Sequence, residues 1–314
     1  MSRHVVFGAG QIGTHVAGQL LESGNDVVVV SRSGRNAPAG ARSMSGDLTN
    51  AEFATTAAGG ADVIYFCLNA PNYHRWPVEF PPLQRAAMHA ATVTGARLVV
   101  LENLYSYGPT GGQTLTEDLP ARATSAKALT RIEMTNELLE AHRRGDIDVT
   151  IGRASDFFGP RVTQSALGEQ VIRPALAGKR AQVMGDPTQP HSYSYAPDVA
   201  TGLIALGTRQ AASGEIWHLL IAETLTTREF IDAVYKTTGH PTRLTAAGRT
   251  ALGIIGLFKP ELKELRHTLY QFNEPWVVDD TKFRTVFGDV STPLSSAIES
   301  TVNWYRNNPA KEAS

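Results

Sequence analysis

Cysteine is nearly absent from this 314-residue chain, with Cys67 the single example. One thiol excludes an intrachain disulfide framework and a cysteine-rich metal site. Cys67 sits in the apolar run Val63-Ile64-Tyr65-Phe66-Cys67-Leu68, which predicts a buried strand cysteine rather than a nucleophile. No sign of charge is in excess either: 29 basic residues against 30 acidic ones leave a net charge of −1. A generic nucleic-acid or polyanion binder carries a strong basic surplus, so no nucleic-acid partner is expected. No apolar stretch approaches the roughly 20 residues of a membrane span, and the N-terminus enters a strand almost at once, which leaves no room for a signal peptide. The expectation is a cytoplasmic protein with no membrane partner. HExxH and paired His/Cys spacings are missing, so no metal is expected. Gly-x-Ser-x-Gly and Walker A patterns are missing too, which disfavours α/β-hydrolase and phosphotransferase chemistry.

What the chain does contain is an alternation of strand and helix signals. Val5-Val6-Phe7 is a short apolar run, and Ile12, Val16 and Leu20 then share a helical face. Val27 to Val30 are four consecutive valines, the pattern of a strand buried on both faces of a parallel sheet. Ala61–Leu68, Arg97–Leu101 and Asp148–Ile151 read as further strands, with helices expected over about 83–94 and 125–144. In the second of these helices Ala128, Ile132, Thr135 and Leu139 recur at helical spacing. Repeated β-α-β units predict an α/β fold with a doubly wound parallel sheet and right-handed crossovers. After about residue 160 the rhythm breaks into a Gly-, Pro- and polar-rich segment over 160–195, with later helices expected at Thr227–Thr238 and Pro293–Asn307. Residues 1–160 therefore read as a nucleotide-binding domain and 161–314 as mainly a smaller substrate lobe, with about 190–222 a candidate for returning to the first domain.

Gly8-x-Gly10-x-x-Gly13 lies between a strand and a helix, the context that a dinucleotide fingerprint requires. Glycine permits the tight turn and close approach to a pyrophosphate, and the helix N-terminus supplies free N–H groups and partial positive charge. Gly8, Gly10, Gln11, Ile12 and Gly13 are the expected contacts. The end of the second strand discriminates between cofactors: an NAD site places an acid there for the ribose 2′-hydroxyl. Here the chain reads Val30-Ser31-Arg32-Ser33-Gly34-Arg35, with no acid. Arg32 can pair with a 2′-phosphate, with Ser31, Ser33 or Arg35 adding donors. NADP(H) is expected over NAD(H). In Gly46-Asp47-Leu48, Asp47 suits either the adenine amino group or a helix N-cap.

These features resemble the short-chain dehydrogenase/reductase superfamily, in its extended and atypical branch of NAD-dependent epimerase/dehydratase-like proteins. The resemblance includes the glycine turn, Gly46-Asp47-Leu48, Asn69-Ala70-Pro71, Leu104 to Pro109, Leu115 to Asp118 and Gly152 to Pro160. It continues through Tyr195 to Ala200, Asp280-Thr281-Lys282 and Pro293 to Arg306. It implies a Rossmann-type sheet with a smaller C-terminal substrate lobe, and adds Leu48, Asn69, Ala70 and Phe157 to the cofactor contacts. The family's chemistry uses a Ser or Thr after the fifth strand and a Tyr-x-x-x-Lys on the long helix. Here Asn103 stands at the serine position, Lys127 where tyrosine belongs and Arg131 where lysine belongs. Asn103 and Lys127 are the catalytic candidates there: Lys127 is expected to project toward the nicotinamide as a proton donor in place of the tyrosine, with anchoring of the cofactor phosphates as its competing role, and Arg131 toward the cofactor ribose.

Tyr105 and Tyr107, on the loop after a sheet strand, are candidates for a displaced proton donor, with packing as the competing role. Tyr73, His74 and Trp76 form a ring-rich loop suited to lining a substrate pocket. His191 and Tyr193 alternate with serines beside the second lobe, and His74 and His191 are candidates for proton transfer, the work to which histidine as a residue type is suited. The expected function is an NADP(H)-dependent oxidoreductase acting on a small carbonyl, alcohol or enone-like compound, as a monomer or homodimer. A nucleotide-sugar epimerase or dehydratase is the alternative, and a non-catalytic dinucleotide sensor a third.

Overall fold

Four β-branched residues in succession favour an extended backbone covered on both sides. In the computed structural model, which describes residues 1–70, 72–247 and 267–309 and of residue 73 the backbone only, Val27–Val30 form the middle of β2 (Asp26–Ser31) and all four are buried. Around them β1 (Arg3–Phe7), β3 (Arg42–Ser45), β4 (Val63–Phe66), β5 (Arg97–Glu102), β6 (Val149–Arg153) and β11 (Ile216–His218) complete a seven-stranded sheet. Its order is β11-β6-β5-β4-β1-β2-β3, and every pairing is parallel. The order reverses beside β1, which opens a crevice at the carboxyl ends of β1 and β4.

The pleat sorts the core by residue parity. Val5, Phe7, Val28, Val30, Ile64, Phe66, Leu98 and Val100 face one side, against α2 (Ala51–Ala57), α3 (Trp76–Thr94) and α4 (Ala126–Arg143). Val6, Val27, Val29, Val63, Tyr65 and Val99 face the other, against α1 (Gly13–Glu22) and α6 (Ala196–Thr208). The smaller lobe has its own core, in which Val171, Ile172, Phe230, Ile231, Val234, Ile298 and Val302 join α5 (Glu169–Leu176), α7 (Thr227–Thr238) and the C-terminal helix Leu294–Asn307. Its strands are short pairs: β7 (Phe157–Phe158) with β10 (Ser194–Tyr195), β8 (Ala181–Met184) with β13 (Leu244–Ala247), and β9 (Pro190–Ser192) antiparallel to β12 (Thr224–Thr226).

Three sequence expectations need correction. Helix α3 starts at Trp76, a full two turns before residue 83. Pro77 fits its first turn, where no N–H is needed, and the internal Pro81 and Pro82 are accommodated while Trp76 and Phe80 are buried. The segment 160–195 reads as irregular yet holds α5 and three short strands. Helix α4 buries Lys127, Ala128, Thr130, Arg131, Met134, Thr135 and Leu138, leaving Ile132 and Leu139 half-buried. Its inward stripe runs one residue ahead of the apolar one, so two cations face the interior.

Two buried histidines make stability depend on pH. His218 is fully buried; its Nδ1 donates to the Asp279 carbonyl (2.9 Å), so its Nε2 is bare and accepts from the Tyr107 hydroxyl (2.7 Å). Burial pushes the pKa of both His218 and His4 below the usual 6.5. The unfolded chain therefore binds protons first as pH falls through 6.5, so stability is full above that value and declines below it. Each ring costs up to about 1.4 kcal/mol per pH unit inside its window. Thermal unfolding followed by circular dichroism from about pH 7.5 to about pH 5 should show a falling midpoint, and His218→Gln should flatten the fall. A midpoint that holds level in the wild-type protein would refute neutral burial of these rings.

Candidate functional site

The three glycines of the turn do different work. Gly8 has φ +114°, and a Cβ there would lie 2.8 Å from the Cys67 carbonyl oxygen. A Cβ on Gly13 would lie 1.9 Å from the Gly8 carbonyl oxygen, so Gly13 lets α1 pack onto the turn. Gly10 has nothing within 4 Å of its absent Cβ and borders open space. Gly13, expected among the ligand contacts, is therefore taken up by packing and does not line the cleft. Helix α1 begins with no acidic residue in its first turn and no side chain capping it; the Thr14 and His15 N–H groups donate within the turn to the Gly10 (3.2 Å) and Ile12 (2.9 Å) carbonyls, and the positive end of the helix is left uncovered for an anion.

A cavity of about 1850 Å³ runs along the carboxyl edge of the sheet from this turn in both directions. That is well above the few hundred Å³ of an ordinary small-molecule pocket, and large enough for a dinucleotide and a substrate together. Toward β2 it is lined by Ser31, Arg32, Asp47 and Leu48. The Ser31 hydroxyl is buried with no hydrogen-bond partner among the described residues. Asp47 Oδ1 accepts from the Thr49 N–H (2.9 Å); the Thr49 bonds, aided by the charge of Arg32, hold this carboxyl below its usual pKa. The helix-cap role belongs instead to Asn50, whose Oδ1 accepts from the Phe53 N–H. Arg35 is exposed and lies outside the lining, because the turn at Ser33 and Gly34 carries it away. Gln11 and Ile12 line the middle, and Gln11 Oε1 accepts from the Gln164 N–H (2.9 Å) across the opening.

Toward β5 and β6 the lining includes Asn69, Ala70, Trp76, Asn103, Tyr105, Arg131, Asp156 and Phe157. Asn103 Oδ1 accepts from the Tyr105 N–H (3.1 Å), shaping the short turn Tyr105–Tyr107. Tyr105 stacks on Trp76 at 6.1 Å. Cys67, just past the end of β4, also borders the cavity rather than lying inside a strand, and burial pushes its thiol up to about 12.

Several expected residues lie one layer behind this wall. Lys127 is buried and does not line the cavity; its Nζ lies 5.1 Å from the Tyr105 ring centroid and 3.4 Å from Thr268 Oγ1, both of which do. Tyr107 is not on the wall either, because its hydroxyl is bonded to His218; burial raises its pKa. His191 is buried between Asp156 and the Gln271 carbonyl. The Tyr193 hydroxyl is bonded to Thr227 Oγ1 (2.8 Å), and burial pushes its pKa strongly upward. His74 is exposed and outside the lining. The Tyr73 side chain lies outside the described residues.

The sequence reading missed Glu102, the last residue of β5 and almost fully buried. Its Oε1 lies 3.3 Å from Arg131 Nη2 and accepts from Thr135 Oγ1 (2.8 Å), and its Oε2 accepts from Arg153 Nε (3.1 Å). Burial opposes the charge on both arginines. In Arg131 it prevails and lowers the pKa; in Arg153, Glu102 and Tyr107 outweigh it. Arg131 Nη2 also donates to the Leu101 carbonyl (3.3 Å), while its Nε and Nη1 have no acceptor among the described residues. An acid at the end of an apolar strand was the available signal, since a buried carboxylate demands cations.

Among the described residues no group of three or more His, Cys, Asp or Glu side chains is placed to hold a metal, and no helix is long and apolar enough to cross a membrane.

The chain is 24% identical to a UDP-glucose 4-epimerase of Corynebacterium glutamicum over 91% of its length and 93% of that protein's. It is 26% identical to a dTDP-glucose 4,6-dehydratase of Streptomyces griseus over 48% and 46%. Among solved structures it is similar to a dTDP-glucose 4,6-dehydratase double mutant of Streptomyces venezuelae with NAD and DAU bound (TM-score 0.78, 21% identity, 98% of each chain). It is also similar to the Thermotoga maritima UDP-glucose 4-epimerase with UDP-glucose (TM-score 0.79, 16% identity, 97% and 99%). Residues 5–219 match the NAD dependent epimerase/dehydratase family, and with its parallel sheet, glycine turn and edge cleft the chain belongs to that family.

Proposed function

We propose that the cleft holds a nicotinamide dinucleotide, NADP(H) in preference to NAD(H), and that the protein is an oxidoreductase of the atypical short-chain dehydrogenase/reductase type acting on a small carbonyl, alcohol or enone-like molecule. The observation that carries the cofactor choice is the end of β2, where Ser31 and Arg32 line the cavity and no acid awaits a 2′-hydroxyl. The unpartnered Ser31 hydroxyl and the open space at Gly10 fit a phosphate-bearing ligand. Arg131 suits the ribose hydroxyls: it stays protonated and offers Nε and Nη1 as donors. When bound, the dinucleotide supplies or accepts a hydride. Asn103 and Tyr105 border the reaction end, and Lys127 supports Tyr105 from behind.

A second reading, a nucleotide-sugar epimerase or dehydratase, is supported by the relatives' similarity along almost the whole chain. Against it stand Lys127 and Arg131 at the positions of the family's Tyr and Lys. The two readings separate on substrate: NADPH oxidation with carbonyl compounds supports the first, and interconversion of UDP-glucose and UDP-galactose without net NADPH change supports the second.

Arg32→Ala should weaken NADP(H) by about 10- to 100-fold, the value of a charged hydrogen bond, and leave NAD(H) within a few-fold. Calorimetric titration of both cofactors checks this, and tighter binding of NAD(H) to the wild-type protein would reject the preference. Arg131→Met should weaken both cofactors alike, by about 1–3 kcal/mol, and lower the unfolding midpoint, because Glu102 then keeps Arg153 as its one buried cation. Unchanged affinity in Arg131→Met would remove this residue from the cofactor site.

A further inference from the structure

The oxidoreductase reading leaves the proton unassigned, since the helix position that would carry a phenol carries Lys127. Across the cleft, on the side of the smaller lobe, Asp156 lines the cavity and His191 stands directly behind it. The Asp156 side chain is 22% exposed and that of His191 2%. The imidazole is stacked between Tyr193 (4.2 Å) and Phe272 (5.0 Å, 10° between planes), which fixes its orientation. Its Nδ1 lies 3.1 Å from the Gln271 carbonyl oxygen and its Nε2 3.0 Å from Asp156 Oδ2.

A carbonyl oxygen only accepts, so Nδ1 must carry a proton. The neutral ring then has Nε2 bare, facing a carboxyl oxygen, and two acceptors at 3.0 Å require a proton between them. The pair therefore holds one proton in that gap, written either as imidazolium with carboxylate or as neutral imidazole with carboxylic acid. Among the described residues nothing donates to Asp156 Oδ1. The backbone keeps both groups in place: the Ser194 N–H donates to the Asp156 carbonyl (2.9 Å), and His191 bridges to Trp276 on one side and pairs with Leu225 on the other.

We propose that Asp156 is the catalytic acid–base of the cleft and that His191 positions it and shares its proton. This rests on the oxidoreductase reading. In carbonyl reduction the substrate carbon gains a hydride from the reduced nicotinamide dinucleotide, which becomes oxidised. The C–O π bond breaks, and the oxygen takes the proton from Asp156 Oδ2 as a half-turn of the carboxyl about its Cβ–Cγ bond carries that O–H from the His191 gap to the cleft. The pair is left as ionised Asp156 with neutral His191, and water restores the proton.

Two measurements test it. Nitrogen-15 NMR of histidine-labelled protein without ligand, with His191 identified by its loss in His191→Gln, should show Nδ1 protonated and a low-field proton in the Nε2–Oδ2 gap. That proton should vanish in Asp156→Asn. A ring protonated at Nε2 alone overturns the proposal. In NADPH oxidation with benzaldehyde, cyclohexanone and menadione, Asp156→Asn should lose at least about 100-fold in kcat, with the KM for NADPH within a few-fold. His191→Gln should lower kcat less and change the solvent deuterium isotope effect. Wild-type kcat in Asp156→Asn together with an inactive Tyr105→Phe overturns the assignment in favour of Tyr105. A wild-type protein that binds NADPH and turns over none of the three overturns the oxidoreductase reading and the catalytic role with it, while the NMR spectrum still judges the shared proton.

Discussion

Glu102 is buried at the end of β5 between two arginines, and the organisation of the reaction end follows from that burial. An ionised carboxylate away from water is sustainable only with cations and hydrogen bonds around it. Here they come from α4 through Arg131 and Thr135 and from β6 through Arg153. The cluster thus clamps one helix and two adjacent strands at the point where they border the cleft. With two cations to one anion the cluster holds an excess of cations, and Arg131, which lines the cavity, also lies over the Phe80 ring at 4.7 Å.

The same accounting runs outward from Arg153. Its guanidinium lies 5.0 Å from the Tyr107 ring centroid, the Tyr107 hydroxyl donates to His218, and His218 donates to the Asp279 carbonyl. The His218 N–H donates to Glu117 Oε1 (2.8 Å), tying in the loop before α4. Each polar group here owes its position to a neighbour that would otherwise be unsatisfied. Tyr107 and His218 therefore read as support for the wall. Asp156 differs from them: its partner His191 lies behind it and its other oxygen is left for the cleft.

The parts of the fold that depend on backbone and periodicity were legible in the sequence. Val27–Val30 marked a two-sided strand, Gly8, Gly10 and Gly13 marked the turn, and α7 runs over the expected Thr227–Thr238, opened by a Thr226–Glu229 capping box and closed by Gly239 in a left-handed conformation. Side-chain direction was less legible. On α4 the apolar stripe pointed to Ile132 and Leu139, but Glu102, on a different strand, makes burial of Arg131 the stronger demand. That pairing spans 29 positions along the chain, beyond the reach of any local pattern. The layer behind the wall was hidden for the same reason. Lys127, Tyr107, His191 and Tyr193 all carry groups fit for chemistry, and only their partners in space show that all four stand behind the wall.

The cleft therefore has two halves under different constraints. The cradle is made of backbone N–H groups, a helix end and missing Cβ atoms, so it survives wherever three glycines keep their spacing. The reaction end is made of side chains, in which one replacement alters charge, proton content and reach together. With Asn103, Lys127 and Arg131 at the positions that the resemblance assigns to the family's Ser, Tyr and Lys, the cradle is unaffected and α4 offers no phenol. A fold that keeps hydride chemistry under those conditions must take its proton from another element at the carboxyl edge. The segment that follows β6 is such an element, because the Glu102–Arg153 pairing in the strand register places Asp156 just beyond the end of the sheet. Family membership accordingly speaks for the cradle, and the proposed chemistry rests on the side chains around Glu102 and Asp156.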